Sequence, residues 1–490
     1  MKKYTAAIFI AMLIPAMMLT VSAKEYLFKL RDDAAILCDD EASLMTEECF
    51  SEENAIAIDH GIFKTDDLSI IQKYTDLGLV EYYEEDAPAY LFDMPNTSEY
   101  MTIASGVSSS TIPLGRSYNQ LNIQALWSLG FTGKGVVVGV IDSGAYPNED
   151  IADNLLPGEN VSPDLDSDPS KQYVTTDGNG HGTMVAGLIA ANGNNYRGVA
   201  YEAKIVPFKA FTDSGSGMVS NMVKGMYKAV DEYGCDIINM SCGAKKDELK
   251  TLLEATNYAV SKGVPVIVAA GNGGGSSNTV GGDADYYPAS YDAAISVANI
   301  TVDDTHWNSS QENNGVDISA PGRMIYGLLN QNTGYRYNNG TSFSCPIVTG
   351  VASLILGYKP NITPSELKKL ICDTATDLGT EGWDMSYGHG KVNCAAIVPV
   401  LLDGKFYRSP IVKYKNTCNV AIRNGLDSTY SSKLIFSNYT GNKMTAISLK
   451  DVTLANGEST TFSIASSGSM SKFFELDRYT FNPIGSALTK

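Results

Sequence analysis

Histidine is scarce in this chain of 490 residues, which contains only four. A catalytic base of the histidine type must therefore come from a short set: His60, His181, His306 and His389. The eight cysteines include no Cys-x-x-Cys pair, so the spacing typical of a zinc ribbon is absent. The sequence leaves open whether these cysteines pair in disulfides or remain buried free thiols.

Long apolar runs are also missing after the first 23 residues. No later stretch approaches the roughly 20 apolar residues of a membrane-spanning helix, so we expect a soluble protein without membrane contact. The start of the chain has two lysines, an apolar run broken by Pro15, and small residues up to Ala23, a pattern typical of a signal peptide. A membrane anchor is the alternative. The prediction is cleavage after Ala23 and secretion to the extracellular space, with the periplasm as an alternative.

Positive charge is in short supply, because 36 Lys and Arg residues oppose 55 Asp and Glu residues, for a net charge of -19. No basic stripe with interleaved aromatic residues occurs, which argues against nucleic acid as a partner. The charge is uneven along the chain: residues 24–110 contain 20 acidic and 5 basic residues, whereas the last ninety contain 6 acidic and 11 basic residues. Blocks of different charge favour separate domains.

The pattern of apolar residues divides the chain into four segments. Residues 24–100 alternate short apolar runs with acidic turns and predict a small α+β unit, and the uncharged stretch 101–111 predicts a linker. Residues 135–396 alternate apolar strands with amphipathic helices, which predicts a parallel α/β sheet. Beyond residue 401, short runs between Gly, Asn and Ser turns predict a small all-β domain.

Polar residues end three of the predicted strands: Asp142, Ser241 and Asn272. Ligands bind outside the carboxyl ends of the strands in an open parallel sheet, so these side chains are candidates for a site. His181 begins a predicted helix directly after the Gly-rich sequence Asp-Gly-Asn-Gly. Each residue alone has an ordinary interpretation as a turn former or an exposed side chain, but their joint arrangement favours a function.

The segment NNGTSFSCP, residues 338–346, contains two candidate nucleophiles, Ser342 and Ser344. Pro346 has no N–H and is tolerated only in the first turn of a helix, so the helix that follows must begin near Ser342. The unpaired N–H groups and the positive dipole end of that helix then lie beside the Ser342 hydroxyl. Ser344 lies roughly 200° further around the helix and cannot share that position.

Four blocks of sequence resemble the signatures of the subtilisin-like serine proteases, in the family's order of Asp, His and Ser. They are VIDSG (140–144), GHGTMVAG (180–187), AAGN (269–272) and NGTSFSCPIVTG (339–350). The resemblance implies an α/β fold with a subtilisin-like parallel sheet and helices on both faces, preceded by a small α+β propeptide and followed by the all-β domain. The implied domains are a signal peptide 1–23, an inhibitory propeptide 24–105, a catalytic domain 106–400 and a C-terminal β-rich domain 401–490 of unknown role.

The resemblance also implies roles for individual residues. Ser342 is the nucleophile, His181 the general base and then acid, and Asp142 the residue that orients the imidazole and stabilises the imidazolium. The side chain of Asn272 and the backbone N–H of Ser342 form the oxyanion hole. The implied substrate-binding residues are Ser241, Cys242 and Gly243, which pair with the substrate backbone, and Gly271 and Gly273, which wall the pocket before the scissile bond.

The implied activity is that of a secreted serine endopeptidase, which acts on polypeptide substrates through an acyl-enzyme and is made as a self-processing precursor. Its own propeptide is the expected intramolecular inhibitor, self-cleavage is expected in the linker 101–111, and the mature enzyme is expected to be a monomer. A catalytically silent subtilase fold used for binding is the alternative, and the intact triad opposes it. An α/β-hydrolase esterase would need Gly-x-Ser-x-Gly and the order Ser, Asp, His, and neither is found.

Some residues depart from the family pattern. Cys242 and Cys345 stand where small or hydroxyl residues are usual, and we expect thiol reagents to impair the enzyme through one of them, since a helix N-terminus lowers the pKa of a nearby thiol. The loop 191–198 is shorter than the family's calcium-binding loop. No cofactor is therefore required, although Asp177 and the acidic run 164–170 leave calcium as an option. The preferred substrate residue is left open.

Overall fold

Two compact units can be distinguished in the computed structural model of the chain. The first comprises residues up to 57 and residues 63–86, and the second comprises residues 58–62 and the chain from 87 onward. The structure describes residues 24–31, 55–92, 115–163, 168–245, 249–273, 285–402, 405–409, 411–414, 417–441, 443–465, 469–477 and 487–489. The predicted signal peptide 1–23 and the predicted linker 101–111 lie outside these ranges.

A four-stranded sheet and one helix account for most of the first unit. Along the chain come β1 (Tyr26–Leu30), β2 (Ile56–Asp59), β3 (Ile62–Thr65), helix α1 (Leu68–Asp76) and β4 (Val80–Glu85). The strand order is β2-β3-β1-β4, and β1 and β4 are antiparallel. Phe28, Phe63 and Ile71 belong to a hydrophobic core of this unit alone. The unit has the α+β architecture that the alternating apolar runs predict.

A seven-stranded sheet forms the centre of the second unit, and every neighbouring pair of its strands is parallel. The chain first forms β5 (Pro88–Leu91) and the short helices α2 (Gly115–Gln120) and α3 (Gln124–Trp127). The strands of the sheet are β6 (Val137–Asp142), β7 (Glu159–Asn160), β8 (Lys204–Lys209), β10 (Ile237–Met240), β12 (Val266–Ala269), β13 (Ile295–Ile300) and β14 (Ile318–Pro321). Two smaller sheets join β5 to β9 (Ser216–Met218) and β11 (Cys242–Gly243), and β15 (Ile325–Leu328) to β16 (Tyr335–Asn338).

Helices cover both faces of the central sheet. They are α4 (His181–Ala190), α5 (Val219–Asp231), α6 (Lys250–Ser261), α7 (Thr341–Tyr358), α8 (Pro364–Asp373) and α9 (Cys394–Leu402). Helices α4 and α7 pack against each other, and so do α5 and α6. Within the described part of the chain, α7 alone is long and apolar enough to cross a membrane, but 89% of it is buried inside the protein. It is therefore the core helix of the α/β unit.

The strand order decides which residues meet at the edge of the sheet. Strands β12, β10 and β6 are direct neighbours, and the register pairs Met240 with both Ile141 and Val268. The carboxyl ends of parallel strands lie at the same edge. The polar residues at or just after these ends are therefore brought together: Asp142, Ser241 and Asn272.

After α9 the chain forms two β-sheets. One contains β17 (Tyr407–Arg408), β18 (Val412–Tyr414), β19 (Thr417–Arg423) and β22 (Ser459–Ala465), and the other contains β20 (Tyr430–Thr440), β21 (Lys443–Leu454), β23 (Met470–Asp477) and β24 (Leu488–Thr489). Val420 and Phe462 from the first sheet share one hydrophobic core with Phe436 from the second. The strands at the C-terminus are thus the all-β architecture expected beyond residue 401.

Candidate active site

Asp142 and His181 meet at the carboxyl edge of the central sheet. Asp142 is the last residue of β6 and His181 the first residue of α4, and both side chains are fully buried. Nδ1 of His181 lies 2.8 Å from Oδ1 of Asp142, and the same oxygen accepts the N–H of Ser143 at 2.7 Å. A carboxylate on Nδ1 favours the tautomer in which Nε2 is the proton acceptor.

The predicted nucleophile Ser342 lies in the first turn of α7 and is fully buried. The residue before this helix, Gly340, has a φ of 143°, in the region that favours glycine. A Cβ at Gly340 would lie 2.8 Å from Nδ2 of Asn272 and 3.2 Å from the carbonyl oxygen of Phe92. Glycine therefore keeps open the space between the Asn272 amide and the start of the helix.

The second serine of the segment, Ser344, lies in different surroundings. A Cβ added to Gly322 would come within 2.2 Å of the Ser344 hydroxyl and 2.5 Å of Oδ1 of Asn299, so these three residues are in close contact. The hydroxyl has no hydrogen-bond partner among the described residues. The structure thus separates Ser344 from Ser342, as the angular spacing on the helix predicts.

Thr341 fixes the orientation of the Asn272 side chain. Oδ1 of Asn272 accepts from the backbone N–H of Thr341 at 2.9 Å and from its hydroxyl at 3.0 Å. The same hydroxyl accepts the N–H of Gly271 at 3.2 Å. With its oxygen engaged, the amide must present Nδ2 on the opposite side. The Asn272 side chain is therefore a fixed hydrogen-bond donor.

Strand β5 lies between two strands of the α/β unit. It pairs antiparallel with β11, where Leu91 faces Cys242 and Tyr90 faces Gly243, and antiparallel with β9 on its other side. The N–H of the next residue, Phe92, donates to the carbonyl oxygen of Ser241 at 3.3 Å. A segment of the chain itself thus adds a strand to the sheet, as an extended peptide substrate does.

The carbonyl group of Phe92 lies at the candidate catalytic residues. Its oxygen accepts from Oγ of Ser342 at 2.8 Å, and it also accepts from Nδ2 of Asn272. The Ser342 hydroxyl is 3.2 Å from the carbonyl oxygen of Ser241 as well. The predicted nucleophile and the predicted oxyanion-hole amide therefore meet at one peptide carbonyl.

A pocket of glycines and one tyrosine surrounds the Phe92 ring, which is 4% exposed. Its ring lies edge-on to that of Tyr286, with centroids 5.0 Å apart. A Cβ on Gly243 would lie 2.7 Å from the tip of the Phe92 ring, and a Cβ on Gly271 would lie 2.7 Å from the Tyr286 ring. A side chain at Gly243 would fill the space of the Phe92 ring, and a side chain at Gly271 would displace the Tyr286 ring that packs against it.

This geometry can be compared with known proteins. The family model described as the subtilase family matches residues 133–390, which is more than half of the chain. The chain belongs to the subtilase family of serine proteases. Subtilisin DY from Bacillus licheniformis is 35% identical over 293 residues, which cover 59% of this chain and 99% of that protein. Subtilisin E from Bacillus subtilis is 37% identical over 59% of this chain and 71% of its own length.

A relative that matches a longer part of this subtilase is an alkaline protease from Alkalihalobacillus alcalophilus. It is 34% identical over 365 residues, which cover 73% of this chain and 85% of the relative. The subtilisin-like fold class predicted from the four signature blocks is confirmed by the family match and by the parallel central sheet.

The predicted substrate-binding residues lie around β5. Ser241, Cys242 and Gly243 line one side of the strand, and Gly271 and Gly273 lie against the Tyr286 ring. Below them, Oγ of Ser241 donates to the carbonyl oxygen of Ser342 at 2.9 Å. The side chain of Ser241 thus tethers the backbone of the nucleophile segment, which the sequence did not reveal.

The expectation of a reactive thiol beside the site is wrong. Cys242 and Cys345 are both fully buried free thiols. Burial raises the pKa of both thiols well above its ordinary value, and Asp142 raises that of Cys242 further. Sγ of Cys345 lies 3.3 Å from Oδ1 of Asn239 and 3.4 Å from the carbonyl oxygen of Ile267, on the core side of the helix. Desolvation outweighs the helix dipole here.

Asp177 does not fit the calcium-ligand interpretation. Its carboxylate is 1% exposed and its two oxygens accept five hydrogen bonds from protein donors, two to Thr183 and one each to Ser143, Asn179 and Gly180. Residues 164–167 of the acidic run lie outside the described ranges, and Asp168 accepts from Ser170. No cluster of three or more potential metal ligands occurs within the described ranges.

Three contributors to the site escaped sequence reasoning: Phe92, Tyr286 and strand β9. Phe92 lies 250 positions from Ser342 in the chain, and a single apolar residue at the end of a strand carries no local signal. Strand β9 has three residues, below the length at which alternation can be recognised. Thr341 could have been noticed, because a threonine at the first position of a helix can donate to a neighbouring side chain.

Proposed function

We propose that this subtilase is a secreted serine endopeptidase that hydrolyses peptide bonds through Asp142, His181, Ser342 and Asn272. The observation that carries the proposal is the Phe92 carbonyl oxygen, which accepts from both Oγ of Ser342 and Nδ2 of Asn272. A site of this kind holds the carbonyl of a scissile bond against its nucleophile and its oxyanion donor.

The proposed reaction has two halves. His181 takes the proton of the Ser342 hydroxyl as Oγ attacks the carbonyl carbon, and Asp142 stabilises the imidazolium that forms. Nδ2 of Asn272 and the N–H of Ser342 donate to the oxyanion. Collapse of the tetrahedral intermediate expels the amine, which takes its proton from His181. An acyl group remains on Oγ of Ser342. In the second half, His181 takes a proton from a water molecule as the water attacks the acyl carbon. The bond to Oγ of Ser342 then breaks, Oγ takes the proton back from His181, and the carboxylic acid product leaves.

The chain is proposed to process itself at the bond between Phe92 and Asp93. Strand β5 occupies the substrate position and ends at Phe92, so the propeptide comprises residues 24–92 in this proposal. The linker 101–111 that the sequence suggested for cleavage lies outside the described residues. After cleavage, β5 retains its pairing with β9 and β11, which supports the proposal that the propeptide inhibits the mature enzyme.

The preferred substrate residue before the scissile bond is proposed to be aromatic. Phe92 packs against Tyr286, and Gly243 leaves room for the tip of the ring. The carboxylate of Asp285, the residue before Tyr286, accepts from the hydroxyl of Ser290 at 3.1 Å. Secretion, a monomeric state and activity without calcium complete the proposal.

Labelling with a fluorophosphonate tests the proposal against a silent binding fold. The mature enzyme should hydrolyse a peptide p-nitroanilide with phenylalanine next to the scissile bond, and the reagent should abolish turnover. Peptide mapping should locate the adduct on Ser342. Absence of both turnover and adduct in folded protein would establish the silent fold instead. An adduct on another serine would refute the assignment of Ser342.

A further inference from the structure

A second buried carboxylate lies next to the Asp142–His181 pair, and the reaction proposed above does not use it. Asp177 is 1% exposed and precedes His181 by four residues. A buried carboxylate is costly unless its oxygens are fully satisfied. Hydrogen-bond donors must therefore surround both oxygens of Asp177.

The carboxylate of Asp177 holds the first turn of α4. Oδ1 accepts the N–H of Gly180 at 2.8 Å and that of Asn179 at 3.0 Å, and Oδ2 accepts the N–H of Thr183 at 2.9 Å and its hydroxyl at 2.6 Å. Only the N–H of Thr183 belongs to the helix itself, whose first turn leaves it without a backbone partner. The N–H groups of Asn179 and Gly180 belong to the turn that leads into the helix. His181 lies between the bonded residues, so the carboxylate fixes the backbone that carries the imidazole.

Ser143 bridges the carboxylate of Asp177 and that of Asp142. Its hydroxyl lies 2.9 Å from Oδ1 of Asp177 and 3.2 Å from Oδ1 of Asp142, and it accepts the N–H of Gly182 at 3.0 Å. A serine has one proton to donate, and the shorter distance assigns it to Asp177. Asp177 therefore restrains both partners of the Asp142–His181 pair, one through the helix and one through Ser143.

Charged side chains around Asp177 come from several elements, among them Arg336 on β16, whose guanidinium donates to the carbonyl oxygen of Gly180 at 3.1 Å. Asp142 lies on β6, His181 on α4 and the buried Lys209 on β8. Nζ of Lys209 donates to the carbonyl oxygens of Ser143 and Thr176, at 2.9 and 3.3 Å, and pairs with Asp213 at 2.6 Å. Burial raises the pKa of the Asp177 carboxyl above its ordinary value, against the lowering effect of its hydrogen bonds. Every one of those bonds comes from a donor, which suits the ionised form.

We propose that Asp177 is a positioning residue for the reaction, whose buried negative charge holds the start of α4 and the Ser143 bridge so that His181 stays aligned with Asp142 and is easier to protonate. The proposal rests on the proposed function. Asp177 touches neither substrate nor a reacting atom, so it acts through His181 and Asp142.

The test uses Asp177→Asn in the full chain, matured by added wild-type enzyme and assayed on the phenylalanine p-nitroanilide. An amide offers one oxygen where the carboxylate offers two, so the helix start loses acceptors. We expect kcat to fall about 10- to 100-fold with KM changed less than about twofold, the scale of a small misalignment of a catalytic group. We also expect the acid limb of the kcat/KM profile to move to lower pH by about half a unit, because the lost negative charge favoured the imidazolium.

The matched control is Asp168→Asn, which makes the same chemical change at an exposed carboxylate that caps a short turn. It should leave kcat and the acid limb unchanged. If Asp177→Asn alters the thermal midpoint but neither kcat nor the acid limb, Asp177 is only structural and the proposal is overturned. Active wild-type enzyme in the same assay separates this failure from a failure of the proposed function.

If Asp177→Asn does not fold, Thr183→Val tests the positioning role of Asp177. It removes the hydroxyl that donates to Asp177 at 2.6 Å and accepts the N–H of Tyr146 at 2.9 Å, and it keeps the charge of Asp177, so kcat should fall several-fold while the acid limb stays in place. Thr183→Ser restores a hydroxyl and should recover wild-type kcat. Equal kcat in wild type, Thr183→Val and Thr183→Ser would overturn the proposal.

Discussion

Two helices of this subtilase begin at the candidate catalytic residues, and their first turns are satisfied in different ways. At α4, which begins at His181, a buried carboxylate accepts the N–H of Thr183 in the first turn and the N–H groups of Asn179 and Gly180 just before it. At α7, which carries Ser342, the first acceptor is a neutral amide: Oδ1 of Asn272 accepts from Thr341. Both helices are preceded by a glycine with positive φ, Gly180 at 94° and Gly340 at 143°.

The different acceptors show that a helix N-terminus can serve two purposes. A helix N-terminus carries partial positive charge and favours an anion. At α4 that anion is built into the protein, which anchors the histidine. At α7 the neutral amide leaves the positive end unneutralised, so the developing oxyanion of a substrate can use it. A fixed carboxylate at the second helix would compete with the substrate.

The largest effect is expected when the nucleophile at the start of α7 is removed. Ser342→Ala should lower kcat by about 10⁶, the scale known from subtilisin itself. Ser344→Ala, on the same helix, should stay within about threefold of wild type, since its hydroxyl lies against Gly322 and Asn299. Both variants are matured by added wild-type enzyme and assayed after its inactivation. A larger loss in Ser344→Ala than in Ser342→Ala would reverse the assignment.

Asn272→Asp makes the α7 start resemble the α4 start. The change keeps the shape of the side chain but places a negative charge where the oxyanion forms, so kcat should fall by at least about 10²–10³, the loss known for removal of this donor in subtilisin. The thermal midpoint should stay level or rise, because a carboxylate favours a helix N-terminus. Steady-state kinetics and calorimetry on the same sample check both. A KM effect with unchanged kcat would show that Asn272 contacts the ground state only.

A change outside both helix starts should affect selectivity rather than the reaction. Gly243→Ala places a methyl group 2.7 Å from the ring position of Phe92 and 2.8 Å from the carbonyl oxygen of Tyr287, so some activity should be lost on every substrate. The kcat/KM for the phenylalanine p-nitroanilide should fall about 10- to 200-fold, the usual cost of a poor fit by one methyl group. The matching alanine substrate should lose far less. Equal losses on both substrates would mean that Gly243 does not face the substrate side chain.

The smallest effect is expected for thiol reagents. Cys345 lies on α7, three residues after Ser342, but its sulfur is buried and its pKa is raised. An organic mercurial should therefore leave activity within about 20% of the untreated enzyme, since the thiol and not the thiolate is present. Wild type and Cys345→Ser should respond alike. Rapid inactivation of wild type alone would show that the helix start is more open than the structure indicates.

Sequence reasoning predicted the architecture and the positions of the polar residues at the strand ends. The start of α7 near Ser342 was predicted from Pro346, although Pro346 is the sixth residue of the helix and lies inside it, not in its first turn. The meeting of Asp142, Ser241 and Asn272 followed from the parallel sheet. The propeptide was the expected inhibitor, but the residue of it that lies at the serine could not be predicted, because Phe92 reaches Ser342 only through the pairing of β5 with β9 and β11. The prediction of a reactive thiol failed for a related reason. The position of Cys345 near a helix start was visible in the sequence, but the depth of its burial was not.

The most direct test of the central claim is the mass of the first fragment that the freshly refolded precursor releases. The wild-type precursor should release one fragment that ends at Phe92 and a second fragment that begins at Asp93. The Ser342→Ala precursor should remain intact over the same time. A first cut within residues 101–111, or the same cut at the same rate in Ser342→Ala, would contradict it.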